Sequence, residues 1–72
     1  MIVSIIEKAK VKLREQNIEP KRIKMSPASH QMLIDEIYRD TGKKHTRIFE
    51  FSGLKVQIDE ECPSGAAYVE GI

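Results

Sequence analysis

Residues 23–37, IKMSPASHQMLIDEI, and residues 48–72, IFEFSGLKVQIDEECPSGAAYVEGI, decide the fold. In the first stretch Ile23 and Met25 alternate with Arg22 and Lys24, the period of a strand with one buried face; the strand is placed at Lys21–Met25. Ser26-Pro27 then ends the strand and opens a helix. A serine hydroxyl accepts an orphan N–H at the N-cap, and proline at the first helical position loses nothing by lacking its own. The helix runs to about Asp40, with His30, Leu33, Ile34, Ile37 and Tyr38 facing inward. Gln31, Asp35, Glu36 and Arg39 face outward, and Gly42 stands at the C-terminal cap.

The second stretch reads as strands joined by turns. Thr46–Phe51 has strand composition, with Phe49 and Phe51 on one face and claimed by the core. Ser52-Gly53 is a hairpin turn, after which Leu54, Val56 and Ile58 alternate with Lys55, Gln57 and Asp59. Glu60–Gly65 forms a loop turned by Pro63 and Gly65. Ala66–Glu70 closes the chain as a strand, Tyr68 on one face and Ala67 and Val69 on the other.

Upstream, Ser4–Gln16 predicts a helix that Ser4 and Glu7 start as a capping box. Ile2, Ile5, Ile6, Ala9 and Leu13 form its apolar stripe, with Lys8, Lys10, Lys12 and Arg14 off it and Val3 and Val11 outside it. Asn17 suits a left-handed C-terminal turn, and Pro20 prevents continuation. The order α-β-α-β-β-β predicts a single α+β domain over residues 1–72, both helices packed on one face of a small, mostly antiparallel sheet.

A chain of 72 residues buries only roughly 60% of its unfolded surface, so self-association is the expected supplement to its core. Cys62 is the single cysteine, which excludes an internal disulfide and fits a reducing cytoplasm. No stretch approaches the length of a membrane span, and the first ten residues carry no leader pattern. Charge is uneven: residues 1–47 hold eleven Lys/Arg to six Asp/Glu, and residues 48–72 hold one Lys to five Asp/Glu. That polarity allows head-to-tail docking or an anionic partner.

Chemistry-bearing residues are few. His30, His45 and Cys62 are too scattered for a zinc cage, and neither metal nor cofactor is expected. A reactive thiolate needs a base or a cation beside it, whereas the neighbours of Cys62, Glu60 and Glu61, would raise its pKa. Asp59, Glu60 and Glu61 form an acidic run that, with Tyr68 on the last strand, is the candidate protein-contact surface. Lys8, Lys12, Arg14, Lys21, Arg22, Lys24, Lys43 and Lys44 are the candidate contacts for the alternative, a nucleic-acid partner.

The motifs KMSPASHQMLIDEI, FSGLKVQID and ECPSGAAYVEG, together spanning residues 23–72, resemble part of the axial domain of tailed-phage major capsid proteins. That family places a strand before a Ser-Pro or Asn-Pro helix start, then a variable insert and a strand into Gly-Leu-x-Val. An acidic loop, Pro-x-Gly and a small-aromatic-valine strand close the pattern. The chain lacks the long spine helix, extended loop and arm of a shell subunit. The resemblance therefore implies a small accessory product of a tailed phage or prophage. Such a protein would be virion-associated or bound to a host factor, non-enzymatic, and active through protein contacts at an exposed sheet edge. The alternative is a nucleic-acid-binding regulator that uses the basic N-terminal half.

Overall fold

The computed structural model describes residues 1–71. Helix α1 spans Ile2–Glu15, starting two residues before the predicted boundary, so Met1 rather than Ser4 is its N-cap. The cap that replaces the predicted box comes from far away in the chain: the Ile2 N–H donates to Glu36 Oε2 at 2.8 Å. Glu7, freed from capping, accepts from the Ser52 hydroxyl at 2.9 Å. The other end is as predicted. Asn17 adopts φ 62°, its N–H donates to the Arg14 carbonyl, and the Ile18 N–H donates to the Leu13 carbonyl. Those two bonds make a Schellman turn, with asparagine in the left-handed position.

Strand β1 (Pro20–Met25) leads through Ser26 into helix α2 (Pro27–Thr41). The Ser29 N–H donates to Ser26 Oγ at 3.1 Å, which is the predicted cap, and Gly42 ends the helix at φ 74°. Strands β2 (Glu50–Phe51), β3 (Leu54–Ile58) and β4 (Ala67–Gly71) complete the order α-β-α-β-β-β. The sheet runs β2-β3-β1-β4. Its β2–β3 and β1–β4 pairs are antiparallel, and β1–β3 is parallel because α2 carries the chain back before β3 begins.

Register sorts the side chains into rows. On the covered face lie Val56–Ile23–Val69 and Ile58–Met25–Ala67, which pack beneath Ile2, Ile6, Leu33 and Ile34 of the two helices. On the opposite face lie Glu50–Lys55–Arg22–Glu70 and Gln57–Lys24–Tyr68. One face is apolar and helix-covered; the other is polar and open.

Five expected side-chain placements are corrected. Lys10 is buried, 7% exposed, because it continues the Ile2–Ile6 row at the i+4 spacing, while Ile5 turns outward. The Lys10 stem lies in the core, and its ammonium donates to the Ser52 carbonyl at 3.2 Å and to Ser52 Oγ at 2.7 Å. Burial falls off along α2 from Ser29 and Leu33 to Tyr38, so Tyr38, 53% exposed, overhangs the core. Glu36 points inward to cap α1 rather than outward. The predicted strand Thr46–Phe51 contracts to two residues, with Ile48 buried and Phe49 66% exposed. The Ile48 N–H is taken by His30 Nε2 at 3.0 Å and the Phe49 carbonyl by the Val56 N–H at 2.8 Å, an arrangement that turns Ile48 in and Phe49 out.

Two substitutions test this packing. A β-carbon at Gly71 would overlap the Ile18 side chain and the Glu19 carbonyl, so Gly71→Ala should cost about 1–3 kcal/mol and lower the thermal midpoint measurably. Lys10→Met keeps the stem but removes the ammonium's bonds to the exposed Ser52, which should cost about 0.5–1.5 kcal/mol in urea unfolding. Unchanged midpoints would contradict these contacts.

Candidate functional site

The predicted acidic loop is ordered by its own side chain. The Asp59 N–H extends the β1–β3 ladder to the Met25 carbonyl at 2.8 Å. Asp59 Oδ1 accepts the Glu61 N–H at 2.9 Å, an Asx turn, and the Asp59 carbonyl accepts the Cys62 N–H at 3.1 Å. Glu60 and Glu61 are exposed. The far side of the loop is tied to α2, where the Gly65 N–H donates to the buried Ser29 Oγ at 2.9 Å.

Cys62 sits among charges that the fold gathers. Partial burial is the first cause raising its thiol above the ordinary value, followed by the Asp59 carboxylate, with Glu70 and Glu61 adding and Lys24 opposing. The direction matches the sequence reading and so does Glu61 as a contributor, but burial and Asp59 come before it and Glu60 is not among the causes. The loop begins just past the Ile58–Met25–Ala67 row, at the end of the sheet where Lys24 and its cross-strand neighbour Tyr68, 47% exposed, stand on the open face. Asp59, Glu61 and Tyr68 are thus brought toward one end of the sheet.

The eight basic candidates are divided. Lys8, Lys12 and Arg14 are exposed on α1, on the helical side of the sheet. Arg22 and Lys24 rise from the open face, where Glu70 holds both, at 2.9 Å from Arg22 Nε and 3.5 Å from Lys24 Nζ. Lys21 is exposed on β1, and Lys43 and Lys44 lie on the connector after α2. Two more cations join Arg22: Arg47, which the sequence offers as an addition to the basic patch, and Lys55, which sequence reasoning passed over, line with Arg22, Val56, Gln57 and Ile58 a cleft of about 400 Å³. No local signal marks them, since their convergence depends on the parallel β1–β3 register and on a connector without regular structure.

A second recess lies between α1 and β4. Ala9, Leu13, Ala67 and Val69 line it, with Lys12, Gln16 and Tyr68 alongside, and it holds about 220 Å³. β4 is the last strand of the sheet, so its outer backbone edge runs beside this groove. His30 spends Nε2 on the Ile48 amide, and His45 is exposed on the connector. Among the described residues no three His, Cys, Asp or Glu side chains converge for a metal ion, and no helix is long and apolar enough to cross a membrane.

No family model, curated protein or solved structure matches the chain.

The electrostatics of the loop carry a direct test. With its pKa raised, Cys62 holds less thiolate near neutrality than a free thiol, so alkylation by iodoacetamide at pH 7.5 should be several-fold slower than for free cysteine. The rate should climb as pH rises past the ordinary thiol range, and Asp59→Asn should accelerate it. A Cys62 as fast as free cysteine would contradict the arrangement.

Proposed function

We propose that this chain is a non-enzymatic accessory protein of a tailed phage or prophage that works by protein–protein contact, virion-associated or bound to a host factor. The phage assignment rests on the sequence resemblance of residues 23–72; the mode of action rests on β4. An edge strand presents unpaired N–H and C=O groups that template the addition of another strand. Here the edge lies beside the groove lined by Ala9, Leu13, Ala67 and Val69. An extended segment of a partner hydrogen-bonds along β4 while every second side chain enters that groove, which gives backbone affinity and side-chain selectivity together. Tyr68 stands at the groove and on the open face, and offers the partner an aromatic contact with a polar tip.

Ala9→Arg fills the groove from a half-buried helix position without touching the sheet backbone. Immobilised protein should retain a specific partner from bacterial or phage-infected lysate, and Ala9→Arg should reduce that retention by about tenfold or more, equivalent to roughly 1.4 kcal/mol. Equal retention by both proteins would remove β4 as the docking edge. Capture of nothing but nucleic acid, lost steeply with added salt, would favour the nucleic-acid alternative.

A further inference from the structure

The open face of the sheet carries a charge arrangement that folding does not require. In the row Glu50–Lys55–Arg22–Glu70, the two central residues are cross-strand neighbours of like charge, a pairing that destabilises a sheet. Arg47 adds a third cation from the connector, its guanidinium 4.8 Å from the centroid of the Phe49 ring. Glu70 engages Arg22, but neither Lys55 nor Arg47 has a carboxylate within salt-bridge distance among the described residues. Among the described residues no carboxylate lines the cleft of about 400 Å³ that the three cations share. A local rule broken with only one of three cations paired marks a site completed from outside.

The complementary set is on the same molecule. Glu60 and Glu61 are exposed and unpaired among the described residues, on a loop that the Asp59 turn already holds in shape. The chain does not neutralise itself, because the two sets lie at opposite ends of β3. Lys55 and Asp59 are four residues apart, about 13 Å along a strand, and Glu60 and Glu61 lie further on. A two-fold rotation reverses the direction of β3 and sets each acidic loop against the other copy's cleft, forming both contacts at once.

We infer that the Arg22–Arg47–Lys55 cleft receives the Asp59–Glu61 loop of a second copy of this chain, making a closed symmetric dimer. This extends the protein-contact reading to a surface separate from the β4 edge. Because the paired charges are exposed at the rim of the contact, the dimer is dissolved by salt. Its symmetry also closes the contact at two copies and leaves both β4 edges free.

Sedimentation equilibrium on the whole chain tests this at about 100 μM protein, comparing low salt with about 0.5 M salt, where the screening length falls below about 5 Å. The wild type should be dimeric at low salt and monomeric at high salt. Arg47→Glu/Lys55→Glu and Glu60→Lys/Glu61→Lys should each be monomeric at low salt while keeping the wild-type circular dichroism spectrum. Mixed in equal amounts, they should form a one-to-one heterodimer, with association at least about tenfold stronger than either variant alone, because the mixture restores both charge contacts. A wild type monomeric at every salt concentration, or a mixture that fails to associate, overturns the inference. A dimer indifferent to both charge reversals overturns it as well and relocates the contact, as does a monomer that instead binds a single-stranded oligonucleotide through the cleft. Ala9→Arg should leave the dimer intact, so the β4 reading and the cleft reading fail separately.

Discussion

Ser29 Oγ, fully buried, accepts hydrogen bonds from the Ser26 hydroxyl at 3.1 Å and from the Gly65 amide at 2.9 Å. Through Ser26 it touches the end of β1 and the cap of α2, and through Gly65 it fixes the loop that delivers β4. β1 is one of the two inner strands, paired on both edges, so its abrupt conversion into α2 sets the crossover that makes β3 parallel to it. The return loop must then pass the N-terminus of α2 before β4 can pair antiparallel on the other side. A hydroxyl serves here where an apolar residue would fail, since the Gly65 N–H is partly buried and would lose its partner.

The local parts of this scheme were legible because their causes are local. Ser26-Pro27, Asn17, Gly42 and the Ser52-Gly53 turn each depend on backbone chemistry within a few residues, and each stands where the sequence reading put it. Both Ser52 and Gly53 take positive φ, 54° and 78°, and Lys10 holds the strained serine through its carbonyl and hydroxyl. Ser29 was not legible. A serine in the first turns of a helix reads as a neutral polar residue, and its decisive partner is 36 positions away. Glu36 and Lys10 escaped for the same reason: their partners, Ile2 and Ser52, lie 34 and 42 positions distant. Charged side chains at the seams between elements look, one residue at a time, like ordinary solvated charges.

The aromatic residues show what periodicity leaves undecided. Phe49 and Phe51 alternate as strand residues should, yet only Phe51 is drawn partly into the core. Two outside anchors, His30 Nε2 on the Ile48 amide and the Val56 amide on the Phe49 carbonyl, shorten the strand and give the buried place to Ile48. The exposed Phe49 ring is then covered by Arg47, whose guanidinium is thereby held at the cleft. A tertiary choice between two apolar neighbours so decides where a cation stands.

The candidate surfaces were legible in their residues and not in their grouping. Asp59, Glu60, Glu61 and Tyr68 were named from type and position, and the basic surplus of the N-terminal half was plain. What composition cannot carry is register. The pairing Arg22–Lys55 and its neighbour Lys24–Gln57 exist only because β1 and β3 run parallel, and an antiparallel pair would bring different neighbours together. Strand direction follows in turn from the length of α2 and the brevity of the β2–β3 hairpin. The same crossover that closes the core therefore gathers like charges on the open face, where Glu70 relieves Arg22 and Lys24 but no carboxylate among the described residues pairs with Lys55 or Arg47. A fold this small has few positions to spare, and a repulsion kept at the centre of its sheet argues for an anionic surface outside the chain that meets it.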